Sequence, residues 1–187
     1  MISTADFKNG IVLKIDNQLV QIVEFQHVKP GKGPAFVRTK QKNVLTGKVL
    51  EKTYRSGEKF EDVRLETQNW QYLYNDGDLF HFMHPETYDQ MEVGKEVVGE
   101  SANWIKENDT IALTFSEGTV IIVEAPIHVN LTVTQSDPGV QGDRSSGATK
   151  PATLETGVTI QVPLFIEEGD TLRVDTRTGQ YIERVTA

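Results

Sequence analysis

Short runs of β-branched and aromatic residues, each ended by a turn signal, follow one another along almost the whole chain. Residues 11–15 and 19–25 are two such runs, and Asp16-Asn17-Gln18 between them favours a β-hairpin. Closely spaced short strands are typical of small barrels and sandwiches. Helical turns are expected only around residues 85–91 and 102–107. The sequence therefore predicts an all-β fold.

An internal repeat indicates the size of the folding unit. Residues 107–118 align with residues 168–179 at an offset of 61, and each copy reads as a strand, a glycine turn and a strand. A module of about 60 residues divides the chain of 187 residues into three. A barrel that small is only marginally stable alone, so we expect three packed barrels. The predicted domains are residues 1–63, 64–126 and 127–187.

Composition excludes several classes of protein. The chain has no cysteine, and so no disulfide, thiolate metal site or cysteine nucleophile. No apolar run approaches the roughly 20 residues that cross a bilayer. The first residues also lack the basic and apolar regions of a secretory signal. We expect a cytoplasmic protein with no membrane partner.

Charge is distributed unevenly along the chain. Residues 1–63 carry 11 Lys and Arg against 7 Asp and Glu, whereas residues 64–187 carry 8 against 20. This asymmetry favours a part that binds nucleic acid joined to an acidic part. Chance variation among solvated side chains is the alternative.

The first unusual loop is Pro30-Gly31-Lys32-Gly33-Pro34. The prolines fix φ near −65° and the glycines permit positive φ, so the chain must turn here and Lys32 should project from a hairpin tip. An ordinary turn with a solvated lysine is the alternative. A rigid tip beside several cations suits phosphate-rich surroundings. The neighbouring cations are Lys29, Arg38, Lys40 and Lys42.

The second unusual loop is the polar stretch of residues 135–150. Loops this long tend to be functional or disordered. Gly142 and Gly147 have the spacing of a phosphate-binding loop, but Ala148 stands in place of the required lysine and Pro151 follows instead of a helix. We therefore do not expect nucleotide hydrolysis.

No arrangement of residues predicts a catalytic or metal centre. His81 and His84 are three apart, and on a strand they would face opposite sides. Ser145 and Ser146 lack the turn sequence that surrounds a nucleophilic serine. We expect no metal, no cofactor and no enzymatic activity.

A specific pattern in residues 150–169 resembles bacterial elongation factor P. It is a lysine, an alanine two positions on, a glycine five further, an apolar residue two positions before the valine of Val-Pro, and a closing glycine. The Lys32 tip and residues 174–179 also resemble this family, and the resemblance covers the whole chain. The matching positions are Lys150, Ala152, Gly157, Ile160, Val162, Pro163, Ile166 and Gly169.

The resemblance implies a fold and a function. The fold would be an SH3-like, KOW-type barrel followed by two OB-type barrels, in an L shape like a tRNA. The factor would bind the ribosome between the peptidyl-tRNA and exit sites and relieve stalling at consecutive prolines. Its partners would be ribosomal RNA, ribosomal proteins and peptidyl-tRNA, and a monomer suits a site of that size. The ribosome would remain the catalyst, and the factor would act by positioning.

The resemblance also implies roles for individual residues. Lys32 would reach the CCA end of the peptidyl-tRNA, with Pro30, Gly31, Gly33 and Pro34 shaping its loop. Phosphate contacts would come from Lys29, Arg38, Lys40 and Lys42. Further RNA contacts would come from Tyr181, Arg184 and a loop facing the exit-site codon. That loop consists of Gly142, Asp143, Arg144, Ser145, Ser146 and Gly147.

Pro34 departs from the family pattern. Many relatives have a polar residue there, and their tip lysine is extended enzymatically, for example by β-lysylation. Because Pro34 stiffens the loop, we expect Lys32 to work unmodified. Three other interpretations stay open: an elongation factor P-like paralogue, a general single-stranded RNA-binding OB protein, and a scaffold built of small barrels. The net charge of −8 argues against general RNA binding.

Overall fold

The computed structural model describes residues 1–138 and 148–186, and most of them lie in strands, which confirms the all-β prediction. The strands are β1 (Ile2–Ser3), β2 (Val12–Ile15), β3 (Gln18–Val28), β4 (Phe36–Asn43), β5 (Val49–Arg55), β6 (Lys59–Phe60), β7 (Glu66–Asn75), β8 (Leu79–Met83), β9 (Gln90–Gly94), β10 (Thr110–Ser116), β11 (Thr119–Glu124), β12 (His128–Ser136), β13 (Thr149–Leu154), β14 (Thr159–Pro163), β15 (Thr171–Asp175) and β16 (Gln180–Val185). Helix α1 is Lys95–Val98, and 3₁₀ turns cover Thr4–Asp6 and Gly99–Asn103.

The prediction of a helical turn at residues 85–91 is wrong. One ring nitrogen of His84 accepts the backbone N–H groups of Glu86 and Thr87, at 3.1 and 3.2 Å. Tyr88 then adopts a positive φ of 61°. A side chain that caps the backbone in this way competes with a helix, and the chain turns into β9 instead.

Strands β2 to β5 form an antiparallel meander. Ile15 pairs with Gln18, which leaves Asp16 and Asn17 as a two-residue turn with φ of 51° and 62°. Asp and Asn tolerate these positive angles, and such a turn matches the twist of the strands. The predicted hairpin is therefore confirmed. The core below this sheet consists of Phe7, Leu13, Val20, Ile22, Val37, Tyr54 and Phe60.

Two five-stranded sheets share one strand order. One sheet runs β11-β10-β7-β8-β9 and the other runs β14-β13-β12-β15-β16, so in each the first strand lies between the second and the fourth. In the second sheet β14 also approaches β16, which closes the sheet into a small barrel of the OB type. Its fully buried side chains include Leu131, Val133, Leu154, Ile166 and Leu172.

The internal repeat has a structural counterpart in these two sheets. Asp109 accepts the backbone N–H of Lys106 on its carboxylate at 2.9 Å, and Asp170 accepts that of Glu167 at 2.9 Å. The main-chain carbonyls of both aspartates accept N–H groups of β7 and β12, at 2.9 and 2.8 Å. The partners in each case stand 61 residues apart, as the repeat predicts.

The chain forms two compact units. Unit 1 comprises Met1–Gln68, Val93–Gly99 and Leu113–Ile122. Unit 2 comprises Asn69–Glu92, Glu100–Ala112 and the described residues of Val123–Ala187. Each unit combines separate segments of the chain, whereas the predicted domains are three consecutive segments. The predicted boundaries after residues 63 and 126 therefore stay a prediction.

Within unit 2 the repeat places two aromatic residues at equivalent positions. Trp104 is buried in the core that also holds Leu131 and Leu172. A Cβ on Gly179 would lie 3.6 Å from its indole ring. Phe165, at the equivalent position of the second copy, is instead 57% exposed.

This contrast gives a matched pair of substitutions. Trp104→Ala leaves a cavity, and we expect it to lower the free energy of unfolding by about 3–5 kcal/mol. Phe165→Ala removes an exposed ring, and we expect it to cost less than about 1 kcal/mol. Urea unfolding followed by circular dichroism measures both values, and equal losses would contradict this account of the core.

Candidate functional site

The hairpin of β3 and β4 positions the predicted Lys32 tip. The pairing extends from Val20 with Asn43 to Val28 with Phe36, so residues 29–35 form the connection at its end. Gly33 has a φ of +103°, a conformation that side chains rarely adopt. Gly31 does not have a positive φ, so only Gly33 requires the conformational freedom of glycine.

Lys32 itself is an exposed cation. It forms no hydrogen bond or ion pair with any residue in 1–138 or 148–186. Pro30 is half-buried, and its Cγ lies 4.0 Å from the position that a Cβ on Gly33 would take. The two sides of the turn therefore lie close together. The Lys32 ammonium between them in the sequence stays exposed.

Strand β4 carries the neighbouring cations on its outer face. Val37, Thr39 and Gln41 are buried, whereas Arg38 and Lys40 between them are exposed. This alternation follows from the period of two along a strand. A shallow groove of about 800 Å³ runs over this outer face.

The predicted phosphate contacts differ in how available they are. Lys40 lies between Glu24 on β3 and Glu51 on β5 as cross-strand neighbours, so its charge is partly offset. Lys42 is half-buried, and its ammonium would lie 3.5 Å from a Cβ on Gly99. Lys29 is exposed.

Arg38 is the cation on β4 that keeps its charge most available. Its cross-strand neighbours, Gln26 and Thr53, are uncharged. Its guanidinium lies 5.5 Å from the centre of the Phe36 ring, within the range of a cation–π contact.

Hydrogen bonds satisfy the polar residues on the inner face of β4. The Thr39 hydroxyl donates to the Lys52 carbonyl at 2.7 Å, and the Tyr54 hydroxyl donates to Gln41 Oε1 at 2.7 Å. Burial raises the pKa of Tyr54 to about 12, against the opposite effect of the Gln41 hydrogen bond. These bonds hold polar side chains in the core and keep β4 in its register.

A β-bulge brings the predicted RNA contacts of β16 to one face. Arg184 pairs with the buried Leu172, and Tyr181 pairs with the buried Val174, with the register shift between them. Tyr181 is half-buried and packs against the core of unit 2. Arg184 stays exposed, with its guanidinium 5.2 Å from the centre of the Phe165 ring.

The other arginines of the β15–β16 hairpin are held more tightly than Arg184. Arg173 bonds to Glu183 at 2.9 Å, and Arg177 forks onto Asp175 at 2.9 and 3.2 Å. Arg184 lies 3.8 Å from the Asp170 carboxylate, beyond hydrogen-bond distance. Its donors therefore remain available to a ligand.

The predicted codon-facing loop lies outside the described residues. It consists of Gly142, Asp143, Arg144, Ser145, Ser146 and Gly147. Lys150 belongs to the family pattern, but the sequence suggested no role for it. It is 7% exposed, and its Nζ donates a hydrogen bond to the Asp137 carbonyl at 2.6 Å. Only the pattern in residues 150–169 pointed to this buried lysine.

The two histidines considered as metal ligands make separate contacts. His81 Nε2 lies 3.2 Å from Asp76, and Tyr74 stacks on its ring at 4.3 Å. His84 instead caps the turn that follows it. The described residues hold no cluster of three His, Asp or Glu suited to a metal ion. Among them, too, no helix is long and apolar enough to span a membrane.

Comparisons with known proteins give one consistent result. Residues 3–60 match the family model "Elongation factor P (EF-P) KOW-like domain", residues 65–123 match "Elongation factor P (EF-P) OB domain", and residues 129–184 match "Elongation factor P, C-terminal". These matches agree with the predicted KOW-type barrel followed by OB-type domains.

Full-length relatives carry the same name. The chain is 55% identical over 187 residues to elongation factor P of Nocardia farcinica, with 100% of both chains covered. It is 56% identical over 185 residues to that of Mycobacteroides abscessus, with 99% of each covered. Among solved structures, eukaryotic translation initiation factor 5A from Methanococcus jannaschii is 21% identical with a TM-score of 0.48, covering 66% of this chain and 95% of that one.

The fork between Arg177 and Asp175 predicts a measurable titration. The side-chain and backbone hydrogen bonds from Arg177 lower the pKa of Asp175 to about 2. Because a lowered pKa favours the ionised form in the folded protein, its stabilising effect is present above about pH 4 and is lost towards pH 2. Carboxyl NMR should show Asp175 titrating near pH 2, and at a higher pH in Arg177→Gln, which keeps the backbone hydrogen bond but loses the side-chain fork. An unchanged titration in the variant would mean that the fork does not form in solution.

Proposed function

Because the chain belongs to the elongation factor P family, it is a translation elongation factor, and we propose that it acts on ribosomes stalled at consecutive prolines. It binds between the peptidyl-tRNA and exit sites and speeds peptide-bond formation there. The ribosome supplies the catalytic groups, and this chain supplies no catalytic residue of its own. The protein works as a cytoplasmic monomer, with domains at residues 1–63, 64–126 and 127–187.

The free ammonium of Lys32 at the end of the β3–β4 hairpin is the observation that carries this proposal. The CCA end of a tRNA is a flexible, negatively charged strand, which a fixed cation attracts. Holding that end near its reactive geometry removes part of the barrier without any proton transfer by the factor. Pro30 and Pro34 limit the conformations of the loop, so less entropy is lost when the tip is placed.

The other cations of the hairpin divide into two groups. Lys29 and Arg38 are exposed and have no paired carboxylate among the described residues, so they make the main phosphate contacts. Lys40 and Lys42 contribute less, because Glu24 and Glu51 flank the first and the second is half-buried. In unit 2, Arg184 and the half-buried Tyr181 contact RNA or the small subunit. The loop from Gly142 to Gly147 faces the exit-site codon.

Translation of a reporter with three consecutive prolines tests the role of Lys32. In a reconstituted system the wild type should restore synthesis, and Lys32→Ala should lose most of this effect, since the tip no longer carries a charge. Lys48→Ala removes another exposed lysine of unit 1 and serves as the matched control. It should behave as the wild type, and a reporter without prolines should respond to none of the proteins.

The outcomes of this assay separate the claims. If Lys32→Ala restores synthesis as well as the wild type, the family function stands and the role of the tip is wrong. If wild type purified from its own host has no effect on the proline reporter, the proposed function is wrong.

The state of Lys32 in the native host is a separate prediction. Because Pro34 restricts the loop, we expect the unextended side chain to act at the tip. Mass spectrometry of the peptide containing Lys32, from protein purified from its host, should give the unmodified mass. Any added mass on Lys32 would overturn this prediction. Protein made in another host, compared in the proline reporter, should be equally active.

A further inference from the structure

Phe165 is an exposed aromatic residue that the proposed contacts leave unused. Its side chain is 57% exposed, whereas its neighbour Ile166 is fully buried. Ile166 anchors the connection between β14 and β15 in the core of unit 2. The backbone at Phe165 is therefore held in place while the ring is directed outwards.

The internal repeat allows Phe165 to be compared with the equivalent residue of the first copy. Phe165 and Ile166 correspond to Trp104 and Ile105, both of which are buried. The same connection thus presents an aromatic ring in both copies. In the first copy the ring is covered by the core of unit 2, and a Cβ on Gly179 would lie 3.6 Å from it. In the second copy it remains open.

One neighbouring substitution changes the chemistry of the open ring. Arg184 stands where the first copy has Val123, which is 5% exposed. Its guanidinium lies 5.2 Å from the centre of the Phe165 ring. The nearest carboxylate oxygen, on Asp170, already accepts the Glu167 N–H at 2.9 Å and is 3.8 Å from Arg184. The second copy therefore presents an exposed ring with a guanidinium over it, and the donors of that guanidinium make no hydrogen bond to the described residues.

From this geometry we infer that Phe165 is a further RNA contact, which rests on the proposed function. One unpaired base stacks on the ring face that Arg184 does not cover, and Arg184 donates hydrogen bonds to the same nucleotide. Aromatic faces beside cations are the usual means of holding single-stranded nucleic acid. A protein partner fits less well, because Arg184 places a charge where the first copy has the apolar Val123. The exposed Glu167 and Glu168 restrict the contact to a single nucleotide, since they repel a longer backbone.

Binding to ribosomes stalled with peptidyl-tRNA tests this inference through three variants. Phe165→Leu keeps an apolar side chain but loses the ring, and it should weaken binding roughly 5- to 20-fold, within the usual range for one stacked base. Phe165→Tyr keeps the ring and should bind within about twofold of the wild type. Ile182→Ala removes another exposed apolar side chain, 42% exposed, and is the matched control.

Photocrosslinking identifies the partner directly. With benzoylphenylalanine at position 165, irradiation of the ribosome complex should give an RNA adduct. An adduct with ribosomal protein alone would overturn the inference. So would wild-type affinity in Phe165→Leu, or equal losses in the Leu and Tyr variants.

The proline reporter, run on the same preparations, separates the two claims. Wild type that restores synthesis while Phe165→Leu binds normally overturns only the stacking contact. Wild type that neither binds nor restores synthesis overturns the proposed function and this inference together.

Discussion

The pairing of β3 with β4 is the constraint on which the candidate site depends. Ile22 and Val37 are fully buried, so the core fixes the register of the two strands. A slip by one residue would turn Arg38 inwards and expose Val37, because side chains alternate along a strand. The same register places residues 29–35 at the end of the hairpin and leaves Lys32 free.

Local signals in the sequence were enough to predict part of this arrangement. Asp16 and Asn17 form the expected turn, and Lys32 is the exposed cation that the flanking prolines and glycines indicate. Strand β4 is harder to predict, because its inner positions include Thr39 and Gln41. They are buried through hydrogen bonds to β5, which only the folded chain reveals.

Other features of the site depend on contacts that local sequence patterns do not predict. The relative availability of Arg38 and Lys40 follows from their cross-strand neighbours, and these depend on pairing between distant residues. A short-range contact was missed as well: the His84 ring caps the backbone of Glu86 and Thr87, and the helical turn expected at residues 85–91 does not form. The family pattern included Lys150, but its burial and its bond to the Asp137 carbonyl required the structure.

The two copies of the repeat share their turns but differ in one part of their surface. Asn108 and Gly169 occupy equivalent positions with φ of 73° and 90°, which explains why glycine and asparagine align there. The carboxylate caps of Asp109 and Asp170 are also shared. The copies differ where Trp104 and Val123 are replaced by Phe165 and Arg184. Those two changes convert a packing contact within the protein into an exposed surface that carries charge.

On this account the free ammonium of Lys32 at the hairpin end acts on the CCA end of peptidyl-tRNA. The most direct measurement is a cryo-electron microscopy map of the protein bound to a ribosome halted at consecutive prolines. We predict density for the Lys32 side chain within hydrogen-bond distance of the CCA backbone. A well-ordered factor whose residues 29–35 contact no part of the tRNA would contradict the account.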